Sequence, residues 1–176
     1  TELVSQFADL ILSLGRLPKT DEITTELKAK INKLQISQTR LAKIAISTIS
    51  VEELSEVRKN FETEILLFLS INMFDGRAKF FNLPPKLQTD VKAYFGSLKA
   101  ANEKAQELLY SLRETDKLLA LASNCERSGV GILVETKFKY HFNQFEKLPL
   151  ELKLFCKIGE RLHRNVNQND IIQLHL

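Results

Sequence analysis

Residues 50–72 have the sequence SVEELSEVRKNFETEILLFLSIN, and this stretch decides the fold class. Ser50 and Glu53 have capping-box spacing, in which a hydroxyl and a carboxylate each accept a hydrogen bond from a free amide at a helix start. The apolar residues that follow recur every three or four positions, which predicts a helix to about Asn72. Its second half, 65–71, is apolar on nearly every side, so we expect central burial in a helical bundle. The expected buried face comprises Leu54, Val57, Phe61, Ile65, Phe68 and Leu69.

The residues before this helix predict a small lobe of short helices over 1–50, with a helix-turn-helix-like arrangement. The first helix spans about 2–14 and stops at a glycine, a residue that favours helix ends. We expect Thr20 or Asp21 to cap the second helix, and Ser37 to open a third. The apolar stripe of the second helix is formed by Ile23, Leu27, Ile31 and Leu34.

The residues after it predict a main helical domain over 51–176. Helices are expected at about 84–95, 97–113, 116–125 and 149–164, with a helix or turn over 136–145. Only 171–176, IIQLHL, is convincingly strand-like. A lone strand leaves its backbone groups unpaired. We therefore expect either that it docks on something outside this sequence or that the polypeptide continues past Leu176. In the second case the domain is truncated at its C-terminus. The fold class is therefore all-α, a multi-helix bundle with a small N-terminal lobe and a terminal strand-like segment.

Composition agrees with a helical protein and excludes several classes. Of 176 residues, 44% are apolar and 27% charged, with only six glycines and four prolines, which excludes disorder and turn-rich all-β folds. The net charge of +3 does not by itself indicate nucleic acid. Cys125 and Cys156 have no metal-binding spacing and are typical of reduced, buried thiols. No apolar run has the length of a membrane span, so we expect a cytoplasmic protein with no membrane partner.

Residues with catalytic chemistry are sparse. His141, His163 and His175 lack metal-ligand spacing, and the only Gly-x-Gly, at 129–131, lacks the third glycine and the strand-to-helix setting of a nucleotide loop. The acids Glu103 and Glu107 lie at helical spacing from lysines, which is typical of a solvated helix face. The sequence therefore predicts no catalytic residue, metal or cofactor, although an enzyme that uses Tyr140, His141 and His175 stays open as an alternative.

A basic window is the strongest candidate for binding. Residues 77–104 carry six basic side chains against Asp90 and Glu103, a net charge of +4, with four aromatic residues interleaved. Positive side chains in such numbers attract DNA phosphates. The alternative is that the aromatics form core and the lysines only solubilise a helix face. A second basic stretch runs from Lys153 to Arg164, and a turn near residue 16 could also contact DNA. The candidate DNA-binding residues are Arg77, Lys79, Lys86, Lys92, Lys99 and Arg16.

The segment Leu83-Pro84-Pro85-Lys86-Leu87-Gln88-Thr89-Asp90-Val91-Lys92-Ala93-Tyr94-Phe95-Gly96-Ser97 resembles a signature of the DNA phosphorothioation-associated methyltransferases of bacteria. Shorter stretches resemble the same family in order and approximate spacing: Leu14-Gly15-Arg16-Leu17-Pro18, 66–74, 130–133, Tyr140-His141, Leu148-Pro149 and 171–175. The chain departs from the family at 155–159, which reads FCKIG, and at Gln173, where the family usually has lysine.

The resemblance implies a region that follows an S-adenosylmethionine-binding domain in a methyltransferase of DNA modification and defence. This chain lacks the glycine-rich turn for that cofactor, so we expect it to act as a non-catalytic module. It would bind the DNA backbone, or dock the methyltransferase domain or other modification proteins. The alternative is a protein-interaction or structural lobe that binds no nucleic acid.

Overall fold

The computed structural model describes residues 2–76, 79–162 and 171–176. The described chain is predominantly α-helical, as expected, and adds a small antiparallel sheet. Its elements are α1 Glu2–Leu14, α2 Thr25–Lys33, α3 Gln38–Thr48, α4 Val51–Asn72, α5 Pro85–Phe95, α6 Leu98–Ser111, α7 Thr115–Arg127, β1 Ile132–Val134, β2 Lys137–His141, α8 Leu150–Leu162 and β3 Ile171–His175. Two compact units are formed, Thr1–Glu62 and Thr63–Leu176. Their boundary lies within α4, whereas the sequence divides the chain at the start of this helix.

In the first unit, local signals set the ends of most helices. Helix α1 stops at Gly15, whose φ of 61° is easily adopted by glycine. The hydroxyl of Ser37 accepts a hydrogen bond from the Arg40 amide and caps α3 as expected. The cap expected at Thr20 or Asp21 was wrong, because these residues form a turn and Thr24 caps α2 instead.

The core of the first unit lies between α1, α2 and α3. Its buried residues are Leu3, Phe7, Ala8, Ile11, Ile23, Leu27, Ile31, Leu41, Ala42 and Ala45. Leu34, expected in the same stripe, is 55% exposed because α2 ends one residue before it.

Helices α4 to α6 follow the sequence expectation closely. The Ser50 hydroxyl accepts a hydrogen bond from the Glu53 amide at 3.0 Å, the expected N-terminal cap of α4. Ile65 and Leu69 of α4 are buried, whereas Phe68, expected beside them, is 42% exposed. Within the second unit, the buried Ser70 hydroxyl donates to the Ala105 carbonyl of α6 at 3.1 Å.

The sheet is the main departure from the expected fold. The helix or turn expected over 136–145 is wrong for 137–141, which form strand β2, whereas Phe142–Lys147 form a short 3-10 helix. The terminal strand is not alone: β3 pairs antiparallel with β2, which pairs antiparallel with β1. Strand β2 alternates exposed and buried residues, so one face of the sheet packs inward and the other meets solvent.

The inward face of the sheet packs on α7 and α8. Phe138, Tyr140 and Leu174 from the sheet are buried with Leu118, Ala122, Cys125, Val130, Leu148, Leu152 and Cys156. Gly131, just before β1, is required for this packing. Its φ is +74°, and a Cβ there would lie 2.6 Å from the Lys139 carbonyl oxygen and 2.7 Å from the Phe138 ring.

Candidate nucleic-acid interface

The basic window places several lysines in solvent without ionic partners. Lys79, Lys86 and Lys92 are exposed, and no carboxylate among the described residues forms an ion pair with them. Lys99 is also exposed and lies 3.9 Å from Glu103, the solvated pair expected from the helical spacing. Arg77 lies outside the described residues. Three lysines of the window are therefore available to an external anion.

Aromatic side chains stand beside these lysines. The Lys92 ammonium lies 4.9 Å from the centre of the Phe80 ring. Phe80 in turn meets Phe81 edge to face, with ring centres 6.0 Å apart. Phe81 is 90% exposed, so it is available to stack on a ligand. Tyr94, by contrast, is buried in the core. For this residue the alternative interpretation, that the aromatic side chains of the window form core, is correct.

The lysines of α5 do not form one flat stripe. Lys86 and Lys92 are six residues apart, and at 3.6 residues per turn this places them about 120° apart around the helix. A ligand that contacts both must therefore wrap around α5 or meet them on separate strands of a duplex. The sequence window gives the right residues but not their arrangement.

Arg16 is committed to an internal partner. Its guanidinium donates to both carboxylate oxygens of Glu22, at 2.7 and 2.6 Å, and the residue is only 9% exposed. This hydrogen bonding lowers the pKa of Glu22 to about 2. Because a buried, bidentate guanidinium has no capacity to spare for phosphate, we leave Arg16 out of the interface.

The second basic stretch is also largely satisfied within the protein. Lys153 is buried and its ammonium lies 2.7 Å from Glu146. Lys157 pairs with Glu160 at 2.8 Å, and both ammonium groups lie over the Phe145 ring. Arg164 lies outside the described residues. Lys153 and Lys157 therefore stabilise α8 locally and offer little positive charge to a ligand.

Groups with catalytic potential are separated or buried. Cys125 and Cys156 are buried free thiols, as expected, and burial raises the pKa of both. The Tyr140 hydroxyl lies 3.0 Å from the Cys156 sulfur, and burial raises the pKa of this tyrosine well above its ordinary value. The sequence left open an enzyme that uses Tyr140, His141 and His175. In the structure Tyr140 is buried and both histidines are exposed, so the tyrosine and the histidines lie on opposite faces of the sheet. His163 lies outside the described residues, which contain no cluster of three or more metal-ligating side chains.

The exposed face of the sheet contains basic residues that the sequence interpretation missed. Lys137, Lys139 and His141 alternate along β2 with buried Phe138 and Tyr140. This two-residue alternation is the signal that could have indicated a strand and a basic face. It was outweighed by the helical character of the flanking sequence.

The first unit contains a groove on its surface. It has a volume of about 400 Å³ and is lined by Phe7, Leu17, Pro18, Gln38, Thr39, Ala42, Lys43 and Ile46. The lining is mainly apolar, and Leu17 and Ile46 are 52% and 39% exposed. Such a groove fits a side chain or helix of another protein better than a phosphate.

Comparison with known proteins gives no functional assignment. No family model, curated protein or solved structure matches this chain. In the parts of the chain that the structure describes, none of the helices combines the length and apolar character that crossing a membrane requires. The functional inference therefore rests on the residues and their surroundings.

Proposed function

We propose that this chain is a non-catalytic helical module that binds the DNA backbone through Lys79, Lys86, Lys92 and Lys99. The observation that carries the proposal is that Lys79, Lys86 and Lys92 are exposed and have no carboxylate partner among the described residues. Lys153 and Lys157 of the same unit are instead paired with glutamates. A lysine left unpaired in solvent can exchange its counterion for a phosphate, which favours DNA binding through the release of ions.

The distribution of charge supports the second unit as the binding unit. Residues 1–62 contain nine basic and nine acidic side chains, whereas residues 63–176 contain 16 basic and 13 acidic ones. The whole positive surplus therefore belongs to the second unit. Long-range attraction of DNA depends on such a surplus.

The resemblance places the proposal in bacterial DNA modification or defence. A module of this kind would retain a methyltransferase, or another protein of a DNA phosphorothioation system, on its substrate. It would use contacts with phosphates, which carry no base sequence directly. Its binding is therefore expected to be independent of sequence and strongly dependent on salt.

The test is charge reversal at Lys86 and Lys92, measured by fluorescence anisotropy with a labelled duplex at about 50 mM salt. K86E/K92E should abolish retention of the duplex. The matched control, K33E/K59E, makes the same charge change at exposed lysines of the first unit and should bind like the wild type. Unchanged binding by K86E/K92E would defeat the assignment of these lysines, and circular dichroism checks that both variants are folded.

A protein-docking lobe without nucleic-acid binding is the second candidate. The apolar groove of the first unit favours it, with the methyltransferase domain implied by the resemblance as its occupant. This candidate predicts that the wild type retains no duplex at any salt concentration. It also predicts a stable complex with that domain, which Ile46→Asp should weaken by placing a charge in the groove.

A further inference from the structure

The solvent face of the three-stranded sheet carries positive charge, and the strand residues that form it include no acid. The register aligns Ile132 with Lys139 and Gln173, and Val134 with Lys137 and His175. His141 stands opposite Ile171 on the same face. All these residues are exposed. None of these residues is acidic, and the turn between β1 and β2 carries Glu135.

The two lysines at the centre of this face are unpaired. No ion pair among the described residues involves Lys137 or Lys139. Both belong to the central strand, two positions apart, so their Cα atoms are separated by about 6.6 Å. Solvated antiparallel faces gain stability from cross-strand pairs of opposite charge. Here the strands place aliphatic, amide and imidazole groups opposite the lysines, so the cross-strand partners do not neutralise the positive charge.

The histidines add hydrogen-bond donors to the same face. The His141 Nδ1 atom accepts a hydrogen bond from the Asn143 amide at 3.3 Å, so a neutral ring keeps its proton on Nε2. Gln173 Nε2 lies 2.7 Å from His175 Nε2. Two ammonium groups, two imidazole rings and the Gln173 amide therefore share this face.

A ligand for this face needs negative charge and acceptor atoms. Phosphate oxygens meet both requirements, because they accept hydrogen bonds and carry the charge of the DNA backbone. We infer that the face defined by Lys137, Lys139, His141 and His175, called here the sheet face, is a second contact surface for the DNA backbone. The inference rests on the proposed function, because it adds a contact surface to the same DNA-binding unit.

The rigidity of the sheet suits it to this role. Phe138 and Tyr140, which alternate with the basic residues of β2, are buried, and their rings stack with centres 5.9 Å apart. Packing of these two rings in the core therefore holds the backbone of Lys137 and Lys139 in place. Fixed positions reduce the ordering that binding requires, which favours affinity.

The experiment compares K137E/K139E with the wild type and with K33E/K59E, by anisotropy of a labelled duplex at about 50 mM salt. Both changed side chains are exposed, so the fold should persist, and circular dichroism checks it. The sheet-face variant should bind at least about tenfold more weakly, since two phosphate contacts are lost and the new carboxylates repel the phosphates. The K33E/K59E variant should bind like the wild type.

The possible failures are distinguishable. If the wild type binds DNA and K137E/K139E binds equally well, the sheet face is refuted and the proposed function stands. The sheet face is also refuted if K33E/K59E loses as much affinity, because net charge would then explain the loss. If the wild type binds no duplex at any salt concentration, the proposed function and the sheet face fail together. If K137E/K139E loses affinity and K86E/K92E does not, the sheet face is supported and the α5 lysines are refuted.

Discussion

Arg16 and Glu22 show how one ion pair sets local structure in the first unit. The carboxylate of Glu22 accepts two hydrogen bonds from the guanidinium and one from the Lys19 amide at 2.8 Å. The turn at 19–22 is thereby held closed, and α2 begins only after it, at Thr25. Because the pair is largely buried, removal of one partner leaves the other charge without a counter-charge in the protein interior, where water does not solvate it well.

We expect Glu22→Gln to lower the free energy of unfolding by about 3 kcal/mol at pH 7. The folded pKa of Glu22 is about 2, below its ordinary value of 4.5. Its contribution is therefore fully present above pH 4.5 and is lost as the pH falls towards 2. The wild type and the variant should differ at pH 7 and converge over this window in urea unfolding followed by circular dichroism.

The control for this prediction is Glu56→Gln, which removes an exposed carboxylate from α4. It should change stability by less than about 0.5 kcal/mol. Equal pH dependence in the wild type and in Glu22→Gln would contradict the role assigned to the ion pair.

At the scale of elements, Gly131 joins α7 to the sheet. Gly129 and Gly131 have the same φ of +74°, but only Gly131 has neighbours in the place of a Cβ. A side chain added at Gly129 would meet backbone strain alone, whereas one added at Gly131 would meet both strain and steric overlap. In this Gly-x-Gly, packing therefore requires Gly131, whereas only the backbone conformation favours glycine at 129.

We expect Gly129→Ala to lower the free energy of unfolding by about 1 kcal/mol, the cost of a left-handed residue with a side chain. Gly131→Ala should cost about 1 to 3 kcal/mol more, because the methyl group overlaps the Lys139 carbonyl and the Phe138 ring. Urea unfolding of both variants measures the difference. If both variants lose the same free energy of unfolding, the sheet can shift to accept the methyl group and the close approach of Gly131 to Lys139 and Phe138 is unimportant.

How far the sequence predicts each element depends on how local its signals are. Ser37, Ser50 and Gly96 act on the turn that contains them, and the corresponding helix ends were predicted correctly. Strand β2 depends on pairing with β3, which lies about 30 residues further along the chain. No local pattern contains that pairing. The local alternation of 137–141 was outweighed by the helical character of the flanking sequence, so the segment was predicted to be a helix or turn.

The same distinction applies to the candidate site. The sequence identified Lys79, Lys86 and Lys92 from local charge, but it could not exclude Arg16, whose burial depends on tertiary packing. It missed Lys137 and Lys139 because a basic face exists only once three strands are aligned. Charge density is visible in a sequence, whereas exposure and freedom from ion pairs are properties of the folded chain.

At the scale of the whole molecule, the excess charge of residues 63–176 connects the two proposed contact surfaces. The α5 lysines and the sheet face belong to the same compact unit. A duplex that contacts both would neutralise more phosphates than either surface alone. The salt dependence of binding measures the number of these contacts. The logarithm of the binding constant falls linearly with the logarithm of the salt concentration, with a slope of about 0.9 for each phosphate neutralised.

This count gives a prediction for the intact chain. Neutral variants avoid repulsion, so K86Q/K92Q and K137Q/K139Q should each reduce the magnitude of the salt slope by about 1.8. The quadruple variant should reduce it by about 3.6 if one duplex uses both surfaces. Anisotropy titrations over a series of salt concentrations measure the four slopes. If the quadruple variant loses no more slope than one double variant, only one of the two surfaces contacts the DNA, and the double variant with the unchanged slope identifies the surface that does not.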